Sequence, residues 1–251
     1  MANLFRYQFR RLFKNKSLYI SSIITSVIII LYIVIFRIVA KETEMQTDGI
    51  TSLFIKQAMG NGMFTILAGI AISIFATEDY NADTIKNIYS KGYSKSNVFV
   101  VNYFVSLSSA LILLMVEWLI TLLFGSIFLS GMGTLGENYI LSLLVMVIIA
   151  IGYHGMFYGL SMMIRKTAGA VAVAIAFPLV MSGIILALDS LLLAKMSTDF
   201  KLNDYTLDGV LSALSKPNVS WAVLGRGVGV GIGFTAFFTI IAYLINQRRS
   251  S

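Results

Sequence analysis

The chain has 251 residues, of which 57% are hydrophobic and 12% charged, and its mean hydropathy is +0.84. A soluble domain carries about 25% charged residues, and no polar stretch here is long enough to build its own core, so composition excludes a soluble enzyme and points to an integral membrane protein. The net charge of +7 falls at the ends of apolar runs, which assigns it to bilayer orientation rather than to nucleic acid, and the absence of Cys excludes disulfides, thiolate zinc sites and cysteine catalysis.

The first sixteen residues form a separate element. Leu4, Phe5, Phe9, Leu12 and Phe13 recur at helical spacing, and Arg6, Arg10 and Lys14 recur every four residues on another face. This predicts an interfacial amphipathic helix, with Phe5, Phe9 and Phe13 in the acyl boundary and the cations among headgroups. The apolar run that follows is too long for a cleaved signal sequence and lacks a small-x-small site, so it reads as a retained span.

Six apolar runs follow, at residues 17–39, 54–77, 98–129, 138–164, 168–193 and 221–245. Each exceeds the roughly 20 residues that cross a hydrocarbon core. They are continuous rather than alternating, so the fold class is an all-α membrane protein and not a barrel. The run 98–129 is long enough that its first turns are expected to project from the bilayer or its far end to bend. Arg6, Arg10, Arg11, Lys14, Lys16, Lys86, Lys91, Lys95, Arg165, Lys166, Arg248 and Arg249 fall on one side of the bundle. The other side holds Lys41, Lys195, Lys201 and Lys216, diluted by acids. The positive-inside rule makes the first side cytoplasmic, with both termini there.

Residues 78–97 form a polar segment between two apolar runs. Asn81 is the expected N-cap of a short helix, Asp83 sits in its first turn, and Lys91-Gly92 stops it. Ala82, Ile85, Ile88 and Tyr89 share one face, which either packs on the chain's own helix ends or docks into another protein's groove. Ser94 or Ser96 caps the next helix. In the external segment 194–220, a short helix over 205–215 is expected, with Asp204 as N-cap and Pro217 as its end.

Four ionisable residues fall within spans, and such residues are expensive in lipid. Asp189 and Arg226 lie near outer ends and reach the interface. Glu117 is a candidate for lining a transport path or a subunit interface, and His154, the sole histidine, is a weaker one. Counted from the cytoplasmic ends the two stand about 29 Å and about 17 Å up their helices, too far apart for a proton relay. Gly225, Gly229 and Gly233, together with Gly227 and Gly231, form small-xxx-small sets, as do Gly155 and Gly159; these permit close helix packing, within one subunit or between two. There is no metal-ligating cluster, serine elbow or phosphate-binding loop in the sequence.

The amphipathic N-terminal helix, six spans, Glu78, Thr84-Ile85-Lys86, Gly92 and the Ser94-Lys95 pair opening the third span together resemble the membrane subunit of a type-2 ABC transporter, an exporter-class permease. Where that family commonly has Gly before the Thr, this chain has Asp83, and Asn102 stands where a Lys often lies early in the third span. The resemblance implies that Glu78, Asp79, Thr84, Ile85, Lys86 and Ile88 form a coupling interface for an ATPase. It implies two separate ATPase subunits that hold ATP and Mg, since this chain supplies no cofactor site. It also implies a second permease subunit, identical or homologous, a multi-pass location in the plasma membrane of a bacterium, and export. Apolar spans with few charges favour an amphiphilic cargo such as a peptide, drug or lipid. The alternative reading is a secondary transporter or channel using Glu117 and His154.

Overall fold

The computed structural model describes residues 1–43, 49–60, 63–81, 84–196 and 200–248. Its helices in chain order are α1 (Ala2–Lys14), α2 (Lys16–Glu42), α3 (Thr51–Gly60), α4 (Met63–Asn81), α5 (Thr84–Ser90), α6 (Lys95–Phe128), α7 (Tyr139–Ile164), α8 (Thr167–Met196), α9 (Leu207–Leu214) and α10 (Trp221–Arg248). A single 3-10 turn, Leu202–Tyr205, precedes α9, and there is no strand among the described residues. The all-α membrane class expected from hydropathy is therefore observed.

Five helices are long and apolar enough to cross a membrane alone: α2, α6, α7, α8 and α10. The expected second span, 54–77, differs. It is divided into α3 and α4, which together reach spanning length but meet at 50°. The sequence carried the signal, because Gly60-Asn61-Gly62 clusters the residues that break helices.

The 34-residue α6 is unbroken and about 51 Å long at 1.5 Å per residue. Ser94 caps it, accepting a hydrogen bond from the Asn97 amide at 3.2 Å. Its first turns are sheathed by protein. Val98, Phe99, Val101 and Asn102 are buried, and Phe99 packs edge-on against Tyr158 and Tyr243, with centroids 5.4 Å away in both cases.

α7 is the most buried of the spanning helices, and its most extensive contact is with α10. A Cβ on Gly155 would stand 2.9 Å from the Thr235 backbone, one on Gly159 2.9 Å from the Phe238 carbonyl, and one on Gly231 2.9 Å from the Ile148 carbonyl. Glycine at these positions lets the two backbones touch, and such close packing is one of the main drives for helix association in lipid. The second set behaves otherwise: Cβ atoms on Gly225, Gly229 and Gly233 would meet nothing within 4 Å. The expectation of helix packing thus fits Gly155, Gly159, Gly227 and Gly231, whereas Gly225, Gly229 and Gly233 make no such contact among the described residues.

Among the described residues, Arg11, Arg165 and Arg248 come from elements gathered at one end of the bundle, here called the basic face. It gathers α1, the C-terminal end of α4, α5, the α7–α8 turn and the end of α10. Arg165 donates to Asn246 at 2.8 Å and its guanidinium lies 4.8 Å from the Tyr80 ring centroid. Ser96 bonds Tyr243 at 2.9 Å and accepts from Gln247 at 2.9 Å. The opposite face is closed by the turn and helix of 202–214. There Thr206, not Asp204, caps α9, accepting from the Gly209 amide at 3.0 Å. Asp204 instead pairs with Arg226 at 2.5 Å, and Asp189 accepts from the Leu202 and Asn203 amides at 2.6 and 3.0 Å. Both intramembrane charges near the outer ends therefore anchor this lid.

Candidate functional site: the basic face and the intramembrane cavities

On α1, Leu4, Gln8 and Leu12 fall four residues apart and are buried against the bundle. Phe5 and Phe9 stack with centroids 6.4 Å apart at the edge of the core. Phe13 is exposed, as are Arg6, Arg10 and Lys14. The amphipathic helix is present, but its inward face carries a glutamine that hydrophobic spacing alone does not account for.

That glutamine belongs to a polar clamp. The Arg11 guanidinium pairs with the Asp79 carboxylate. Gln8 donates to the same carboxylate at 3.0 Å, Asn15 donates to Glu78 at 3.1 Å, and Arg11 also donates to the Phe75 carbonyl at 2.7 Å. The Arg11 guanidinium lies 4.2 Å from the Phe75 ring centroid. Asp79 is 2% exposed, so of the two acids expected at a partner interface, Glu78 is open at the surface and Asp79 faces α1. Sequence reading named both acids but missed Gln8, Arg11 and Asn15 as their partners. The available signal was one inward polar residue on an otherwise apolar stripe.

Asn81 does not cap the short helix. It is the last residue of α4 and its amide bonds the Thr167 hydroxyl. Ala82 and Asp83 lie outside the described residues, as does Arg249. On α5, Ile85 and Ile88 are 5% and 6% exposed and belong to the chain's own core. Lys86, Asn87 and Ser90 face outward, and Thr84 is half-buried. Burial pushes the Tyr89 phenol above its ordinary value, against the pull of its hydrogen bond with Tyr80. Gly92 ends the segment at φ +84° and closes a turn with its amide 2.9 Å from the Tyr89 carbonyl.

The two intramembrane candidates are not brought together. His154 on α7 is fully buried, bonds the Ser106 hydroxyl at 2.8 Å and packs against Tyr103 and Tyr158. Ser106 precedes Glu117 by eleven residues on α6, about 16 Å along the axis. Glu117 lies in a cavity of about 330 Å³ between α2, α3 and α6. A larger groove, about 710 Å³, opens between α8 and α10 beneath the lid. Phe177, Met181, Phe234 and Phe237 line its apolar part, Asp208 and Arg226 its polar end, and Gly229 and Gly233 its floor.

No curated protein matches the chain. The family model described as ABC-2 family transporter protein matches residues 4–187, well over half of the chain, including the N-terminal helix, the clamp, α5 and both intramembrane candidates. The chain therefore belongs to the ABC-2 transporter family and is a multi-pass permease subunit of an ABC transporter.

Proposed function

We propose that this permease is the translocation subunit of an ATP-driven exporter, in which two permease subunits pair with two ATPase chains bearing ATP and Mg. The basic face is then cytoplasmic, both termini lie inside, and the membrane is the plasma membrane of a bacterium. The ATPase docks on the outward side of α5 with Lys86 and on the neighbouring Glu78, and its closure on ATP switches the permease pair between inward- and outward-facing states.

The observation that carries this reading is the Arg11–Asp79 clamp. It ties α1 to the end of a membrane-embedded helix beside α5, whose apolar side is sunk in the core. A push on α5 or α1 is transmitted to α4 as one body, because buried, hydrogen-bonded charge pairs resist separation. An amphiphilic cargo is supported by the groove between α8 and α10, which is apolar along its length and polar at one end.

The test is co-purification of the full-length permease with a P-loop ATPase, followed by ATP hydrolysis in lipid nanodiscs. The charge reversals Glu78→Lys and Lys86→Glu are expected to weaken the complex or uncouple hydrolysis from transport; Glu78→Lys also removes the 3.6 Å ion pair with Arg11 and the Asn15 hydrogen bond, so Lys86→Glu is the variant that isolates the interface. A complex that forms and turns over normally with both reversed would falsify the coupling assignment.

A further inference from the structure

We propose that the cavity around Glu117 is a recognition site for amphiphiles that carry a primary ammonium group. The inference rests on the transport reading above and names the class of cargo. Glu117 projects from the middle of α6 and is 1% exposed, and its Oε2 has no hydrogen-bond partner. A buried acceptor without a donor is costly, and native structures rarely leave one so. No group among the described residues donates to it, and the adjoining cavity of about 330 Å³ leaves room for a donor from outside the chain.

The walls define that group. The Thr121 hydroxyl is spent donating to the Glu117 carbonyl at 2.7 Å, so it offers the cavity lone pairs rather than a proton. Carboxylate and hydroxyl together form an acceptor pair, which suits a donor with several N–H bonds and a positive charge, and Thr25 adds a second hydroxyl to the same lining. Tyr32 and Phe54, with ring centroids 5.3 Å apart, line the same space and add π faces that favour a cation. Ile28 and Ile29 supply the hydrocarbon side. The outer face of α2 is apolar and exposed at Ile24, Val27 and Leu31, so a ligand reaching this site through the bilayer carries an alkyl tail as well as its ammonium head.

The test titrates the full-length permease, in a neutral maltoside detergent and without ATPase, with dodecylamine. A Trp221→Phe background leaves Trp118, the neighbour of Glu117, as the fluorescent reporter. Saturable binding is expected, weakened by about tenfold or more in Glu117→Gln, the scale of one charge-assisted hydrogen bond. Dodecanol and dodecyl sulfate are expected not to compete. Ala58→Phe, which fills the cavity from α3 and leaves Glu117 in place, is expected to abolish binding and decides the matter if Glu117→Gln does not fold. Equal binding of dodecylamine to the Glu117→Gln variant, or of dodecanol to the wild type, overturns the proposal; the latter would mean that a proton alone satisfies the carboxyl. Because no ATPase is present, a failed titration removes the cargo class and leaves the coupling reading intact. Conversely, loss of coupling would leave the titration unchanged.

Discussion

Arg11 on α1 and Asp79 on α4 form a buried ion pair across 68 positions of sequence, and the Gln8 amide completes it with a 3.0 Å hydrogen bond to the same carboxylate. The two residues sit on elements that hydropathy treats as unrelated, a surface helix and a span. Their union makes the N-terminal helix an integral part of the bundle rather than a separate raft on the bilayer.

Breaking that pair by removing Asp79 leaves the largely buried Arg11 with only Glu78 at 3.6 Å and the Phe75 carbonyl. Asp79→Ala is expected to destabilise the permease by about 3–5 kcal/mol, and the joint replacement Arg11→Met with Asp79→Leu by much less. A double-mutant cycle on unfolding of the detergent-purified protein measures the coupling directly. Additivity of the two single changes to within about 0.5 kcal/mol would mean that the residues do not interact.

The glycines at the α7–α10 contact and the outward glycine row of α10 should respond oppositely to a larger side chain. Gly231→Leu and Gly155→Leu force backbones apart where a Cβ already stands 2.9 Å from the partner helix, and each is expected to cost about 1–3 kcal/mol or more. A Cβ on Gly229 would meet nothing within 4 Å, so Gly229→Leu extends into the groove beside α8 and should narrow it while leaving folding intact. Size-exclusion profiles and unfolding midpoints of the three variants separate the rows. Equal damage from all three would show that Gly229 also packs, against a second subunit.

Lys56 is 1% exposed and its ammonium donates to the Lys216 carbonyl at 2.5 Å, holding the segment after α9 against α3. Ser215 returns a hydrogen bond to the Lys56 carbonyl at 3.1 Å. Lys56→Met keeps the stem but leaves the carbonyls unmatched, with an expected loss of about 1–3 kcal/mol. Limited proteolysis should show faster cutting near Lys216 in the variant, and an unchanged rate would mean the contact does not anchor the loop.

Gly92 is left-handed at φ +84° with open space around its missing side chain. Gly92→Ala therefore tests backbone strain alone, with an expected cost of about 1–2 kcal/mol. In hydrogen exchange the α5 amides should open more readily in the variant. If their protection is unaltered, the turn does not control how α5 is held.

Hydropathy alone determined the membrane class and the approximate position of most crossings, because a continuous apolar run in lipid has few options but a helix. Charge sorting also grouped Arg11, Arg165 and Arg248 at one end before any contact was known. Short-range chemistry was less legible: Ser94 and Gly92 were readable as cap and stop, whereas Asp204 and Asn81 were assigned caps they do not make, since Arg226 and Thr167 claim their side chains from distant helices. Which residues face each other was decided by the tertiary structure. Helical period places Gly227 and Gly229 on different faces, yet only packing against α7 makes one a contact and the other a groove wall. Likewise Gln8 became a ligand of Asp79, 71 positions away, while packing of α2 and α3 around Glu117 buried its carboxylate without a donor among the described residues. A local pattern records what a side chain is able to do, and long-range packing decides which of those capacities is used.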